Sequence, residues 1–427
     1  MKVIPRHLAR RIEDALKISR VVNIVGPRQA GKTTLVKDLL DTARYLTLDD
    51  DRVRGSLETD PYGQLELISE QAQKSSRPVV LDEVQRLPEI TFALKRIVDT
   101  NRRPGQFVLT GSSDIFSSGQ AYDSLAGRVM ALTLRPLSAA EIAERAPCRL
   151  LDIVSEQPKD CLGSLPRPES FTRAEAVDLI VRGGFPEIRK LKDHDRIQGY
   201  VSYLDSIVER DVAPIAEVRK PDILRRLIDQ LAARTAEELS IAALCKAIGA
   251  RKETVAEYID ILSRLGIVHR LGAWTSPSGK REIKAPKLHL LDTGCATALR
   301  AEDNSSFGLG ADPVALGHLL ESFVFIELEK SLPYLEKRWR LYHWRKKQEH
   351  EIDIVAEAPG RRLALFETKA AATVGIDDFR HINWFLSDGP GKSYQGIGFV
   401  VYLGEDLLSF GANRIALPLS MLWSFAL

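Results

Sequence analysis

Two glycines, a lysine and a threonine near the start of the chain are spaced in a way that suits phosphate binding. They are Gly26, Gly31, Lys32 and Thr33, in the pattern G-x-x-x-x-G-K-[ST]. Glycines let backbone N–H groups turn toward phosphate oxygens, and a helix that begins here adds its positive end. We expect Lys32 to reach the β- and γ-phosphates of a nucleotide and Thr33 to bind Mg²⁺.

The elements on either side of this loop support that interpretation. An apolar strand is predicted over Val21–Val25, and a helix that buries Leu35 and Val36 follows the loop, which is the context the motif requires. The predicted ATP-binding residues of the loop are Gly26, Pro27, Arg28, Gln29, Ala30, Gly31, Lys32, Thr33 and Thr34.

Two adjacent acids, Asp82 and Glu83, follow the apolar residues Val79–Leu81. In a P-loop fold, an acid at this end of a strand anchors Mg²⁺, and a neighbouring glutamate can activate water for attack on the γ-phosphate. The pair favours ATP hydrolysis over phosphate transfer, because a small-molecule kinase must keep water away from the phosphate. The alternative is that these acids cap the helix after the strand.

Hydroxyl and guanidinium groups farther along extend this prediction. Thr110, Ser112 and Ser113 end the next strand and would orient the attacking water or contact the γ-phosphate; the alternative is a turn with capping serines. Arg128 would reach the nucleotide of a neighbouring subunit as an arginine finger, which implies a homo-oligomer. Alternatively, Arg128 forms a surface salt bridge.

A second set of acids with a lysine lies between residues 351 and 370. Asp353 falls on one predicted strand, while Glu367 and Lys369, two apart on the next strand, point to one face. We predict Asp353, Glu367 and the helical Glu321 as ligands of Mg²⁺ or Mn²⁺, which would lower the pKa of a bound water. Lys369 would stabilise the charge that develops on a phosphorane.

The alternative for this set is a row of solvated charges on an edge hairpin. The flanking segments IDIV and LALF are apolar on both faces, and a charge within such strands is costly unless it is paired or metal-bound. This favours an assembled cluster, although assembly does not by itself establish cleavage.

Composition sets the broad class of the chain. Its 427 residues suit two or three domains, and 44% hydrophobic with 28% charged residues is ordinary for a globular protein. A net charge of +2 is too small to predict nucleic-acid binding from the whole chain, so any basic patch must be confined to one region of it. Four scattered cysteines, no apolar run of signal length and none of membrane-spanning length predict a cytoplasmic, non-membrane protein.

Several motifs in order give the chain a family resemblance. The P-loop, VVLDEVQ, FVLTGSS, SLAGRV, GGFPE, APKLHLLDTG and GHLLESFVFIEL resemble those of AAA+ ATPases that carry a C-terminal DUF4143 region. The resemblance implies an α/β fold with an AAA+ core over residues 1–145, then an insertion and helical lid over 146–221. It also implies ATP as cofactor, and a lid that supplies a second arginine sensor, for which Arg182 and Arg210 are candidates. Alternatively, these arginines pair with nearby acids.

The middle of the chain suggests two further features. Residues 146–169 are rich in Pro, Ser and polar side chains, which predicts a long surface loop or insertion. Residues 222–295 resemble a winged helix, whose third helix begins at Arg251 and Lys252. Such a fold can contact DNA or RNA, although winged helices also bind proteins. The expected phosphate contacts of the wing are Lys280, Arg281, Lys284 and Lys287.

Residues 296–427 resemble a PD-(D/E)XK nuclease core, which the family resemblance also implies. The helix with Glu321 precedes three strands that carry Asp353, Glu367 and Lys369, although Ile352 stands where such nucleases have proline. Three functions are therefore open: an ATP-dependent enzyme that cleaves nucleic acid, an ATPase that binds nucleic acid without cleavage, and an ATP-gated signalling or toxin–antitoxin-type protein with a protein partner.

Overall fold

The computed structural model describes residues 3–111, 125–157, 161–212, 221–276, 285–308, 312–346, 349–411 and 413–426. The chain forms two compact units. The first comprises residues 1–137 with 264–266, and the second comprises 138–263 with 267–427. The domain bounds at 145/146, 221/222 and 295/296 stay predictions.

The first unit is built on a five-stranded sheet in which every pair of neighbouring strands is parallel. The strand order is β2-β3-β4-β1-β5. The strands are β1 (Val21–Val25), β2 (Arg44–Thr47), β3 (Val79–Asp82), β4 (Phe107–Gly111) and β5 (Val129–Thr133). Apolar residues are buried on both faces of the central strands, as a parallel sheet covered by helices requires.

The first helix of this unit precedes β1, and the other described helices connect consecutive strands. They span Leu8–Leu16, Lys32–Thr34 with its π-helical continuation Leu35–Leu39, Asp51–Thr59, Pro61–Gln73 and Ile90–Thr100, with a 3-10 turn at Val84–Arg86. In an open α/β sheet of this kind, ligands bind beyond the carboxyl ends of the strands. The loop after β1 and the acids at the end of β3 both lie at that edge.

Helices dominate the first half of the second unit. The described helices from residue 138 onward span Ala139–Ile142, Leu150–Glu156, Cys161–Ser164, Arg173–Arg182, Asp193–Ile207 with the π-helical continuation Val208–Val212, Pro221–Ala233, Ile241–Ile248, Lys252–Arg264, Thr293–Leu299, Pro313–Ser331 and Arg380–Ser387. Short 3-10 turns span Ile188–Lys190, Asn304–Phe307, Leu332–Tyr334, Ile376–Phe379 and Leu419–Leu422. No helix in the described ranges is long and apolar enough to cross a membrane.

The expectation of a long surface loop over residues 146–169 is wrong in part. Leu150–Glu156 is a helix that buries Leu150, Leu151 and Val154. The Asp152 carboxylate beside them accepts a hydrogen bond from the Glu336 backbone at 3.0 Å. The apolar spacing is that of one helical face, which the surrounding prolines and polar residues concealed.

The winged-helix prediction matches the order of elements. Three helices, Pro221–Ala233, Ile241–Ile248 and Lys252–Arg264, precede the antiparallel pair β6 (Val268–Leu271) and β7 (Lys287–Leu290). Ser240 caps the second helix, and Gly249 ends it with a left-handed backbone at φ 68°.

Two glycine-containing motifs, GGFPE and LLDTG, meet around one buried carboxylate. Asp292 accepts hydrogen bonds from the Gly184 N–H at 2.7 Å, the Gly294 N–H at 2.9 Å and the Tyr200 hydroxyl at 3.1 Å. A Cβ on Gly183 would lie 1.9 Å from this carboxylate. These motifs therefore have a packing role that joins three segments of the second unit.

The C-terminal half of the second unit is a mixed six-stranded sheet in the order β12-β13-β11-β10-β9-β8. The strands are β8 (Arg340–Lys346), β9 (His350–Ala358), β10 (Arg362–Lys369), β11 (Gln395–Tyr402), β12 (Leu408–Ser409) and β13 (Arg414–Pro418). β9 and β10 are antiparallel with Ile354 opposite Phe366. Both segments predicted to be buried, IDIV and LALF, lie in this hairpin, and their apolar residues are inaccessible.

Candidate functional site

Lys32 lies in the first turn of the helix that follows β1, where the P-loop motif placed it. Gly31 precedes it with φ 95°, a backbone conformation that favours glycine. The Lys32 ammonium donates to the backbone carbonyls of Gly26 and Pro27, each at 2.9 Å. A Cβ on Gly26 would lie 2.1 Å from the Leu134 carbonyl oxygen, so only glycine fits there.

The rest of the loop is held from outside the motif. Ala30 is buried, and its carbonyl accepts a hydrogen bond from the Arg6 guanidinium at 2.7 Å. Arg6 also donates to the Arg135 carbonyl at 2.6 Å, so it links the loop to the segment after β5. The local motif contains no signal for Arg6. Gln29 has φ 58°, Arg28 is partly buried and Thr34 is exposed.

Asp82 collects hydroxyl donors at the end of β3. Its carboxylate accepts hydrogen bonds from Thr33 Oγ1 at 3.0 Å, from the Tyr45 hydroxyl at 2.6 Å and from Thr110 Oγ1. Burial and the adjacent Asp82 carboxylate raise the pKa of Tyr45 above its ordinary value, which keeps the phenol a donor. Sequence reasoning missed Tyr45, because only the pairing of β2 with β3 brings it here.

The donor set suits Mg²⁺. A threonine hydroxyl and a carboxylate, Thr33 and Asp82, lie in direct contact beside the phosphate-binding loop. Hard oxygen ligands of this kind are those that Mg²⁺ prefers, together with phosphate oxygens and water. The residues present therefore fit the ion that this class of fold uses.

Glu83 follows Asp82 with a left-handed backbone, φ 61°. Its N–H donates to Thr110 Oγ1 at 3.2 Å, and its carboxylate accepts from the Gln85 amide. The side chain makes no capping hydrogen bond to the turn that it precedes, Val84–Arg86. Because that bond is missing, the capping alternative loses its basis for Glu83. Non-glycine residues with positive φ are uncommon and concentrate at functional sites.

Other predicted residues of this site have different surroundings. The Arg128 guanidinium forms a bidentate salt bridge with Asp99, with Nη2 2.9 Å from Oδ2. This matches the salt-bridge alternative within one chain, and the role of arginine finger stays a prediction. Arg182 pairs with Asp178 at 2.6 Å, and Arg210 is exposed. Ser112 and Ser113 lie outside the described residues.

A second polar cluster is buried in the C-terminal unit, and its centre is a lysine. The Lys287 ammonium lies 2.7 Å from the Glu321 carboxylate, 2.7 Å from Glu351 and 3.7 Å from Asp353. We call these four residues the Lys287 cluster. Lys287 is 2% exposed. Burial lowers the pKa of its ammonium, but the three carboxylates outweigh that effect and place the pKa above its ordinary value.

The predicted metal ligands occupy distinct positions around this cluster. Asp353 accepts two hydrogen bonds from Thr368, from the N–H and the hydroxyl, each at 2.9 Å. Glu367 is 8% exposed, and its Oε1 is buried without a hydrogen-bond partner among the described residues. Burial and the Asp353 charge raise the pKa of Glu367 well above its ordinary value.

Lys369, the lysine that the motif nominated, is not the one that contacts these acids. Its ammonium lies 3.5 Å from the Asp378 carboxylate, and its side chain is 41% exposed. The structure thus brings Glu321 and Asp353 together around Lys287, a residue expected to contact phosphates from the wing. That expectation is wrong, because a buried ammonium with two carboxylate partners cannot reach a phosphate backbone.

The remaining predicted phosphate contacts divide into two groups. Lys280, Arg281 and Lys284 lie outside the described residues, whereas Arg251 and Lys252 are exposed where the third helix of the winged helix begins. A basic and aromatic patch lies between the C-terminal sheet and the helix Arg380–Ser387, where Lys346 stands 4.5 Å from the centre of the Trp384 ring. His350 stacks on the same ring at 4.1 Å.

Comparison with known proteins adds family matches to this geometry. Residues 19–143 match the model of the AAA domain, residues 173–306 match a domain of unknown function, DUF8612, and residues 316–422 match another, DUF4143. Uncharacterized proteins of Mycobacterium tuberculosis and Mycobacterium bovis are each 29% identical over 415 residues, covering 97% of this chain and 83% of theirs. A Walker-type ATPase of Pyrococcus abyssi is 14% identical, with a TM-score of 0.43 over 70% of this chain and 96% of its own.

The N-terminal part is an AAA-type P-loop domain, as shown by its parallel sheet, the loop after β1 and the family match. Domains of this class bind and hydrolyse ATP. The chain joins this AAA domain to a DUF4143 region, as its motifs predicted.

Proposed function

We propose that this chain binds ATP together with Mg²⁺ and hydrolyses it at the loop after β1. The observation that carries the proposal is the 3.0 Å hydrogen bond between Thr33 and Asp82, beside the buried Lys32. A phosphate-binding lysine, a hydroxyl ligand and a carboxylate ligand are the parts that hydrolysis in this class of fold requires.

The residues have separate roles in this proposal. Lys32 exchanges its two carbonyl partners for phosphate oxygens, and the backbone N–H groups of the loop bind the same phosphates. Thr33 and Asp82 hold Mg²⁺, which when bound neutralises phosphate charge. Glu83 accepts the proton of the attacking water, and Gln85 orients the Glu83 carboxylate through its amide.

The test is the substitution Glu83→Gln, which keeps the shape of the side chain but removes the base. We expect turnover to fall about 100-fold or more while the affinity for ATP stays near wild type. Phosphate release and binding of a fluorescent ATP analogue measure the two quantities. Glu89→Gln, at an exposed glutamate of the same unit, is the matched control. Equal turnover of wild type and Glu83→Gln would contradict the assigned base.

We further propose that the chain binds DNA or RNA without cleaving it. Two surfaces support binding: the exposed Arg251 and Lys252 at the start of the third winged-helix helix, and the patch of Lys346, His350 and Trp384. Stacking on aromatic rings and contacts of cations with phosphates are the usual means of binding single strands. The ammonium among the C-terminal carboxylates argues against cleavage.

Fluorescence anisotropy with labelled DNA and RNA tests this second proposal. We expect binding that weakens steeply with salt, and further weakening in the double variant Arg251→Ala/Lys252→Ala. A basic pair elsewhere, the exposed Arg10 and the half-buried Arg11, gives the control. Absence of binding, together with ATP hydrolysis that neither nucleic acid alters, would instead favour the signalling or toxin–antitoxin-type function with a protein partner.

A further inference from the structure

The Lys287 cluster joins three elements of the C-terminal unit. Lys287 lies on β7, Glu321 on the helix Pro313–Ser331, and Glu351 and Asp353 on β9. All the polar contacts of the ammonium given above are to carboxylates, two of them at 2.7 Å. In metal-dependent nucleases of the resembled fold, a divalent cation occupies the centre of such an acidic group.

The backbone that carries this ammonium is paired on both edges. Lys287 pairs with Leu271 in the β6–β7 ladder, and Glu238 bridges it from the opposite edge. The neighbouring Pro286 carbonyl accepts a hydrogen bond from the Leu239 N–H at 2.8 Å. The pairing on both edges holds the Lys287 backbone in place, and the two 2.7 Å ion pairs of the buried ammonium hold its side chain against the carboxylates.

The acids that remain do not provide a metal site. Asp353 uses one oxygen to accept both hydrogen bonds from Thr368, and Glu321 and Glu351 are paired with the ammonium. Within the part of the chain that the structure describes, no group of three or more His, Cys, Asp or Glu side chains is placed to hold a metal ion. The residues therefore do not fit the ion that a nuclease of this fold requires.

We propose that Lys287 is the resident cation of this cluster: its ammonium takes the place of a divalent metal ion, so the C-terminal domain neither binds such an ion nor uses one. A single fixed positive charge and a removable divalent ion are exclusive occupants of one small, buried acidic site. This inference concerns a site separate from the one that hydrolyses ATP.

The experiment is Mn²⁺ binding followed by electron paramagnetic resonance in the full chain without nucleotide. Asp82→Asn is used as the parent, because it removes the carboxylate that serves the AAA site. We expect the same Mn²⁺ binding by the parent and by the parent with Asp353→Asn. Adding Lys287→Met to the parent releases the three carboxylates from the ammonium, so that they can turn toward one new Mn²⁺ site, which Asp353→Asn should abolish. Lys330→Met, at another lysine paired with a glutamate, should create none.

Two results would overturn the proposal. One is a Mn²⁺ site in the parent that Asp353→Asn removes, or Mn²⁺-dependent cleavage of DNA or RNA that the same substitution abolishes. The other is a folded Lys287→Met variant, judged by circular dichroism, that gains no site. If Lys287→Met folds only when Mn²⁺ is present, that rescue supports the proposal. If Lys287→Met folds neither with nor without Mn²⁺, the proposal is decided by Mn²⁺ binding to the parent and to the parent with Asp353→Asn, since both keep the lysine.

Discussion

The two units each contain a buried lysine, but the two ammonium groups have different partners. Lys32 donates to two neutral backbone carbonyls, whereas Lys287 lies against two carboxylates at 2.7 Å. Neutral acceptors release an ammonium to a phosphate at small cost, while a buried ion pair does not separate without leaving uncompensated charge. The partners of a lysine, more than its burial, therefore indicate whether it serves a ligand or the fold.

Substituting each lysine by methionine is the strongest way to break this comparison. We expect Lys287→Met to lower the free energy of unfolding by about 3–5 kcal/mol, because it leaves buried carboxylates without their counter-charge. Lys32→Met should change stability far less but abolish ATP hydrolysis. Urea denaturation and phosphate release measure the two effects, with Lys74→Met at an exposed position as control. Equal losses of stability in both variants would contradict the distinction.

The pH dependence of stability gives a second, smaller test at the same strand. His289 lies two residues after Lys287 and is 1% exposed. Burial lowers its pKa well below the ordinary value, and the Lys287 charge lowers it further. The folded state therefore keeps this imidazole neutral at a pH where the unfolded chain binds a proton. Its contribution to stability is present above about pH 6.5 and is lost at about 1.4 kcal/mol per pH unit as the pH falls below that value.

We expect His289→Leu to flatten this loss, which urea denaturation between pH 7.5 and pH 5 measures. In the wild type, His289 contacts the Ser322 hydroxyl. After the substitution, this hydroxyl keeps a second hydrogen bond, to Thr235 at 2.9 Å. His194→Leu on an exposed helix face should leave the slope of stability with pH as it is in wild type. A slope unchanged by His289→Leu would assign the acid sensitivity to other groups.

The smallest expected effect is on the Mg²⁺ dependence of the AAA site. Tyr45→Phe removes the phenol that holds the Asp82 carboxylate at 2.6 Å. Because one hydrogen bond to a charged group is lost, we expect the Mg²⁺ concentration for half-maximal hydrolysis to rise by up to about tenfold. Tyr62→Phe removes a similar bond, to the half-buried Glu66 at 2.7 Å, and should leave that concentration unchanged. A matching rise in both variants would exclude a specific role for Tyr45.

The AAA site was largely predictable from sequence, because most of its parts are local. The P-loop places Lys32 and Thr33 by chain continuity, and the strand ending in Asp82 needs only the rule that parallel strands end at one edge of a sheet. Arg6 and Tyr45 were not predictable. Each reaches the site through a contact between segments distant in sequence, and no local pattern specifies that contact.

The C-terminal cluster shows the opposite balance. The hairpin, its buried faces and the convergence of Glu321 with Asp353 followed from apolar patterning and the order of elements. The lysine did not, because the motif nominated Lys369 by its spacing from Glu367, whereas the fold supplies Lys287 from a strand more than 60 residues earlier. In the sequence, Lys287 lies close to other basic residues, a pattern that predicts contacts with phosphates. Only the pairing of strands shows that its ammonium binds buried carboxylates instead.

The pairing around Lys287 also has a mechanical consequence. The residues that directly follow β6 are bonded to β8, through the Trp274 N–H to the His343 carbonyl at 2.7 Å and the His343 N–H to the Gly272 carbonyl at 2.9 Å. Together with the ion pairs of Lys287, these bonds attach the β6–β7 pair to the six-stranded sheet at two places. We therefore expect the amides of β6 and β8 to be protected from hydrogen exchange together and to become exposed in one opening step.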